Sequence, residues 1–287
     1  MNIICSPTVH VLASPVFHEH PKYKIPSDGD DITKICSFAA KNCYDSFGED
    51  GRSNTDNQLR VLDHGHGSVL EHATIVLLIE GISRGLTLEM NRHRHFGISQ
   101  RSTRYTAEED ASIVLEPYFA SLYKKHGMYF DSDISAYAFD PLILNSPKLN
   151  SPNLNSSYLT EVSERELLLS NIYAIEKSFE EYSKQINCLT RLNPLNLSGF
   201  ELRKWARGKA RNILPHCLET KVVYSGNIRA WRWFIESRSN RHAEAEIRRL
   251  ATYVKDALTE KAPLYFQDYK KTIYDSIPEW TTEHRKV

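Results

Sequence analysis

Cysteine is scarce in this chain and poorly spaced for any framework. The 287 residues hold five: Cys5, Cys36, Cys43, Cys188 and Cys217, with no CxxC pair among them. An odd number of thiols without metal-ligand spacing argues against a disulfide scaffold and a zinc site. It points instead to a reducing, cytoplasmic compartment. Net charge is absent as well. Lysine plus arginine number 36 and aspartate plus glutamate 36, so neither a nucleic-acid coat protein nor a polybasic membrane binder is expected, and any strongly charged site must be local. Long apolar runs are missing. The longest, Ala73 to Ile79, is broken by Thr74 and is far too short to span a bilayer. The opening residues Met1 to Pro7 show no basic segment ahead of an apolar run, so no secretory signal is expected. No GxGxxG follows a strand-like run, which argues against a dinucleotide-binding Rossmann unit. RRM, KH and finger motifs are lacking too, and a non-catalytic nucleic-acid-binding module is the least favoured reading.

What is present is enough for a core: 41% of residues are hydrophobic and 25% charged, within the range of globular chains. Thr8 to Ala13 alternates and reads as a strand. Asp31 to Tyr44 reads as a helix, capped by Asp30 or Asp31, with Ile32, Ile35, Cys36, Ala39, Ala40 and Cys43 on one face. Asn57 to His64 reads as a short helix ended near Gly65. Ala73 to Glu80 is the strongest strand, expected to be buried on both faces and to stop at Gly81. Ser83 fits the N-cap of a helix running to about His93, with Leu86, Met90 and Leu88 as its apolar contacts. Helices over Glu161 to Gln185, Phe200 to Leu214, Asn227 to Glu236 and His242 to Leu258, with a strand at Glu219 to Ser225, complete the pattern. A five-residue repeat from Leu144 to Ser157 reads as part of a low-complexity surface insertion at about 131–160. Strands and helices without a βαβ rhythm predict an α+β fold, a mostly antiparallel sheet flanked by helices, as a single domain over 1–287.

Chemistry concentrates between Arg92 and Tyr105. Arg92, Arg94, Arg101 and Arg104 crowd one short segment, with His93 and His95 among them. Such crowding is repulsive unless an anion neutralises it, and arginine suits bidentate phosphate binding. Ser102, Thr103 and nearby backbone N–H groups could complete a phosphate cradle. The plainer alternative is a solvated basic face. Phe96, Ile98 and Tyr105, interleaved with the charges, weigh against it.

Arg92-His93-Arg94, followed seven residues later by Ser102, resembles the RHR-x7-S signature of the flavin-dependent thymidylate synthases. Ser102 to Tyr105 resembles that family's S-x-R-Y continuation. The likeness extends to Ala39–Tyr44, Gly65–His72, Ser83-Arg84-Gly85, Ala210–Pro215, Asn227–Arg229 and Arg238–Ile247. This resemblance implies an enzyme that binds FAD and takes a methylene group from methylenetetrahydrofolate. It reduces that group with NADPH-derived hydride and delivers it to dUMP, making dTMP as a homotetramer with shared active sites. By matching positions, Ser68, Glu71, Arg92, His93, Arg94, His95, Asn227 and Arg229 would contact FAD. Glu89, Gln100, Ser102, Thr103, Arg104, Arg211 and Arg238 would hold the pyrimidine deoxynucleotide monophosphate. Arg238, Ser102 and His66 would serve catalysis: Arg238 by stabilising charge on the ring, Ser102 by orienting the nucleotide, and His66, with Tyr105, near flavin and folate.

The other readings of these residues stay in view. His64, His66 and His72 with Asp63 do not match HExxH or a finger, so no metal is expected. Gly65-His66-Gly67 could be only a turn. Trp231, Trp233 and Phe234 suit core or interface, Arg203, Lys204, Arg207 and Lys209 a solvated helix face, and Cys43 a packed small hydrophobe. Four residues depart from the family pattern: Glu89, Asn91, Gln100 and Arg101. Glu89 stands where glutamine is usual. It could pair with an arginine, with Arg84 or Arg101 as candidates, or read an amino group. The second possibility keeps open dCMP methylation, or hydroxymethylation of dUMP or dCMP.

Overall fold

A computed structural model of the chain describes residues 2–109, 111–126, 135–136 and 156–285. In chain order the elements are β1 (Asn2–Ile4), β2 (Thr8–Ala13), α1 (Asp31–Cys43), α2 (Asn54–Asp63), a 3-10 turn at Gly67–His72, β3 (Thr74–Ser83), α3 (Arg84–Met90), β4 (Gly97–Gln100), β5 (Ile113–Val114), α4 (Pro117–Lys125) and β6 (Ser135–Ala136). Then come α5 (Ser156–Leu192), α6 (Gly199–Ala210), β7 (Glu219–Asn227), α7 (Ile228–Arg238), α8 (Ala245–Lys261), α9 (Pro263–Phe266), β8 (Lys270–Tyr274) and β9 (Ile277–Thr281). They form two compact units. The first comprises Met1–Ser6, Gly81–Thr87 and Arg101–Thr220; the second comprises Pro7–Glu80, Leu88–Gln100 and Lys221–Val287.

The second unit is built on the sheet of order β2-β3-β7-β4. Its outer pairs are antiparallel, with Val9 opposite Ile79 on one side and Ile98 opposite Tyr224 on the other. Ile75, Leu77 and Ile79 are fully buried while the intervening Val76, Leu78 and Glu80 are half-buried. The strand therefore presents one face to the core, as an antiparallel sheet allows, rather than burying both. α7 packs on the 3-10 turn and on α8; Trp231, Phe234 and Ile235 of the one helix and Ile247, Leu250 and Val254 of the other are all fully buried or nearly so. Each such side chain contributes roughly 1.5–3 kcal/mol relative to exposure. The Trp231 indole N–H donates to the Ile75 carbonyl at 3.3 Å, tying α7 to β3. Asp30 caps α1 by accepting from the Thr33 N–H. β8 and β9 form a hairpin that periodicity does not reveal, because every residue of β8 is exposed.

In the first unit β1 pairs parallel with β5 and antiparallel with β6. Ile3, Ile113, Leu122, Leu168, Ile172 and Phe179 form its core, where α5 packs against α4 and α6. The Ser83 hydroxyl accepts from the Leu86 N–H at 2.9 Å, the expected helix cap.

Several local expectations are revised. β3 continues through Gly81, at φ +68°, to Ser83, since glycine tolerates that conformation without breaking the strand. Leu88 is 58% exposed and so is not one of the buried contacts of α3. Cys43 is exposed rather than packed. α5 is longer than Glu161 to Gln185 at both ends. The repeat from Leu144 lies outside the described residues until Ser156 opens α5.

Candidate active site

The C-terminal turn of α7 and the segment after α3 meet in the second unit. The Arg238 Nε–H donates to His93 Nε2 at 2.7 Å. Its Nη1 donates to Glu89 Oε2 at 2.9 Å and its Nη2 to the Glu89 carbonyl at 2.9 Å. Three of the five guanidinium N–H groups are thus committed and two remain for another acceptor. To accept from Arg238, His93 must be neutral with its proton on Nδ1. Burial, then the neighbouring Arg238 and His95 charges, lowers its pKa to about 4, which keeps it so. Burial raises the Glu89 carboxyl, the Arg238 charge opposes that, and Glu244 adds to it; the net direction is upward. Arg238 and His93 line a cleft of about 350 Å³ together with Arg92, Arg94, His95, Phe96, Trp233 and Ser237.

Aromatic packing holds this cleft in shape. Phe96 lies 4.5 Å from Trp231 and 5.6 Å from Tyr224 between ring centroids, and His93 packs edge-on against Phe234 at 5.3 Å. Gly226 admits the Phe96 ring; a Cβ there would lie 2.3 Å from it. The Tyr224 hydroxyl donates to Asn91 Oδ1 at 2.8 Å.

A second cleft, of about 660 Å³, opens beside the 3-10 turn. His64, His66, Ser68 and Arg229 line it, with the two imidazole rings 5.9 Å apart. Gly65 turns the chain at φ +68° between them. Arg229 Nη1 meets Glu71 Oε1 at 2.6 Å. Asn227 lines neither cleft. Its amide oxygen caps α7 by accepting from the Ala230 N–H, which fixes where Arg229 emerges on the helix's first turn.

The first unit gathers a different set. The Ser102 hydroxyl accepts from the Arg104 N–H at 3.3 Å. Arg211 Nη1 donates to the buried Thr103 Oγ1 at 3.4 Å, and Arg207 Nη1 donates to the Tyr105 carbonyl at 3.1 Å. Lys204 stands over the Tyr105 ring, which stacks on Phe200 at 5.9 Å. Arg207 and Lys204 are therefore supports of the Ser102–Tyr105 turn and not merely a solvated face. Arg101 bridges Glu108 at 2.9 Å and Glu219 at 3.1 Å. Burial raises the Glu108 carboxyl against the pull of Arg101 and Arg84.

Gln100 closes β4, opposite Val222 of the second unit's sheet, one residue before the chain enters the first unit. Three of the departures from pattern gain physical partners. Asn91 receives Tyr224, Arg101 neutralises two acids, and Glu89 takes the ion-pair option, with Arg238 as partner instead of Arg84 or Arg101. Trp233 and Ser237 join the 350 Å³ cleft without having been singled out for a site. Trp233 is 54% exposed while Trp231 and Phe234 are buried, and the helical phase of α7 could have separated them.

A family profile described as "Thymidylate synthase complementing protein" matches residues 27–264. The flavin-dependent thymidylate synthase of Mycobacterium tuberculosis is 34% identical over 268 residues, covering 92% of this chain and 90% of that one. That of Corynebacterium diphtheriae is 31% identical over 254 residues, covering 88% and 84%. Among solved structures, thymidylate synthase X from Helicobacter pylori with FAD and dUMP gives a TM-score of 0.52 at 20% identity, covering 91% of this chain and 98% of that one. A UMP/dUMP methylase from Streptomyces cacaoi bound with 5-Br dUMP gives 0.59 at 17%, covering 93% and 96%. At those identities the two structures speak for the α+β fold. The signature arginines, the fold and the extent of the sequence match agree: the chain belongs to the flavin-dependent thymidylate synthase family.

Proposed function

We propose that this enzyme converts dUMP to dTMP by reductive methylation, using methylenetetrahydrofolate as carbon donor and NADPH as reductant through bound FAD. The observation that carries the reading is the fixed guanidinium of Arg238, oriented by Glu89 and His93 yet left with two free donors at a cleft. The residues suit FAD. Arg92, Arg94, His95, His66, Ser68 and Arg229 offer cationic and hydrogen-bonding groups to a doubly phosphorylated, electron-rich ligand. When bound, FAD supplies the two-electron carrier between NADPH and the transferred carbon.

The chain's own groups do the rest. Arg238 stabilises negative charge as it develops on the pyrimidine, which is where preorganised donors act most strongly. Glu89 and neutral His93 hold it in place. Ser102, Thr103, Arg104, Arg211 and Gln100 bind and orient the nucleotide, Ser102 through its hydroxyl and not as a nucleophile, since among the described residues its hydroxyl is bonded to the Arg104 N–H and not to a base. Glu71 and Asn227 position Arg229 against the flavin, and His66 faces flavin and folate. We infer a homotetramer with active sites shared between subunits. We further propose a cytoplasmic place, from five cysteines without the spacing of a disulfide scaffold. Among the described residues no helix is long and apolar enough to cross a membrane.

The test is direct. Purified protein should be yellow and oxidise NADPH faster when dUMP is added. It should release dTMP only when methylenetetrahydrofolate is present. A colourless protein that cannot be loaded with FAD defeats the reading. Product mass with dUMP and dCMP separates methylation of uracil from the cytosine and hydroxymethyl alternatives.

A further inference from the structure

The 660 Å³ cleft has a second wall that none of the roles above uses. It is made by the segment between α1 and α2 and by α2 itself, and it carries Arg52 and Arg60. The lining includes Arg52, Arg60, Arg229, His64 and His66 but no aspartate or glutamate, in a chain whose acids equal its bases. Glu71 compensates Arg229. Among the described residues no ion pair is formed by Arg52 or Arg60, and both are exposed to the cleft side of solvent.

This wall is rigid. Lys41, 2% exposed, donates from Nζ to the Arg52 carbonyl at 2.8 Å. Immediately after, Ser53 caps α2 by accepting from the Asp56 N–H. The Asp28 carboxylate accepts from the Asn54 and Thr55 N–H groups, and Asn54 Nδ2 reaches the Pro26 carbonyl at 2.6 Å. The backbone beneath Arg52 is thus held on both sides, and Arg60 stands two turns further along α2. Concave surfaces lined by one sign of charge concentrate counter-charge. Guanidinium pairs favour phosphate and carboxylate oxygens, and the volume suits a cofactor-sized ligand.

We propose that Arg52 and Arg60 form an oxyanion subsite for the phosphate or carboxylate end of a ligand that enters this cleft past His66 and Ser68. The list of sources rests on the function proposed above: the FAD pyrophosphate, an NADPH phosphate, or the glutamyl carboxylates of the folate. The subsite itself does not.

The test compares the full chain with the double variants R52A/R60A and R52K/R60K. Binding of inorganic pyrophosphate is measured by calorimetry, the FAD dissociation constant by flavin fluorescence, and KM for NADPH and for methylenetetrahydrofolate by turnover. The alanine pair should weaken pyrophosphate about tenfold or more, ~1.4 kcal/mol. It should raise one of the three source constants by a similar factor, with the lysine pair recovering part of the loss. The constant that moves names the source. Pyrophosphate binding and all three constants within twofold of the parent overturn the subsite, as does equal loss in a folded lysine pair that keeps both charges. A parent protein that takes up no FAD sinks the proposed function instead, and pyrophosphate then still judges the subsite.

Discussion

Arg232 and Arg238 stand six residues apart on α7, each paired with one carboxylate, and their surroundings differ in every respect. Arg232 is 2% exposed. It meets Asp268 through two parallel bonds of 2.8 and 2.9 Å, adds the Tyr265 carbonyl, and lies over the Tyr269 ring at 5.1 Å. Burial pushes the Asp268 carboxyl up, but the Arg232 bonds and charge, with Thr282 and His284, outweigh it and hold it below its usual range. Glu89 beside Arg238 moves the other way. One guanidinium spends both terminal nitrogens on protein acceptors, with its Nε buried and unbonded. The other keeps two of its five donors in reserve. The comparison teaches that the same kind of ion pair can be spent on packing where it is closed in, and can keep donors for a ligand where it borders a cleft.

The sharpest way to break this contrast is to remove each arginine. Arg232→Ala leaves the half-buried Asp268 without its cation, bonded by the Thr282 hydroxyl, and should cost ~3–5 kcal/mol in urea unfolding, enough to unfold a marginal chain. Arg238→Ala should leave the melt within about 1 kcal/mol, as for a half-open pair, while turnover falls ~10²–10³-fold, the scale for loss of one preorganised donor. If the two variants melt alike, the contrast is wrong.

Acid sharpens it further. Asp268 has a depressed pKa, so its stabilisation is present above the unfolded value of 3.8 and is lost as pH falls through the lower folded value. Glu89 has a raised pKa, so its contribution is complete below the unfolded value of 4.5 and declines as pH rises through the folded one. Asp268→Asn should therefore flatten the acid limb of a melting-temperature profile below about pH 4. Glu89→Gln should instead remove a decline above about pH 4.5. Its effect on turnover is the smallest expected, a few-fold, because the glutamine oxygen still accepts from Arg238. A thousand-fold loss in Glu89→Gln would mean that the charge, and not the position it imposes, is what matters.

Much of this was readable beforehand. The helix caps at Asp30 and Ser83, the strand β2 and the existence of β3 follow from spacing, while the grouping of Arg92 to Arg94 with Arg238 is implied only by the family resemblance. The division of labour between Arg232 and Arg238 was not. Both lie in the same run, Trp231 to Arg238, and what separates them is Asp268, 36 residues on, and Glu89, 149 residues back. β4 escaped because its four residues lie inside the segment read as a basic motif, and its pairing depends on the distant Val222–Ser225. Asn227, implied by the resemblance as a cofactor contact, also caps the start of α7 through its amide oxygen, a role that the motif does not reveal because a cap and a ligand contact call for the same amide.

The placement of the thiols has a practical consequence. Cys36 is fully buried and its pKa is pushed up to about 12 by burial, so alkylating reagents should pass it by. Cys43 sits on the rim of the cleft that holds His66 and Arg52. With the other exposed thiol, Cys188, changed to serine, a fluorophore attached at Cys43 would turn the protein into an optical gauge of cleft occupancy, readable without any turnover at all.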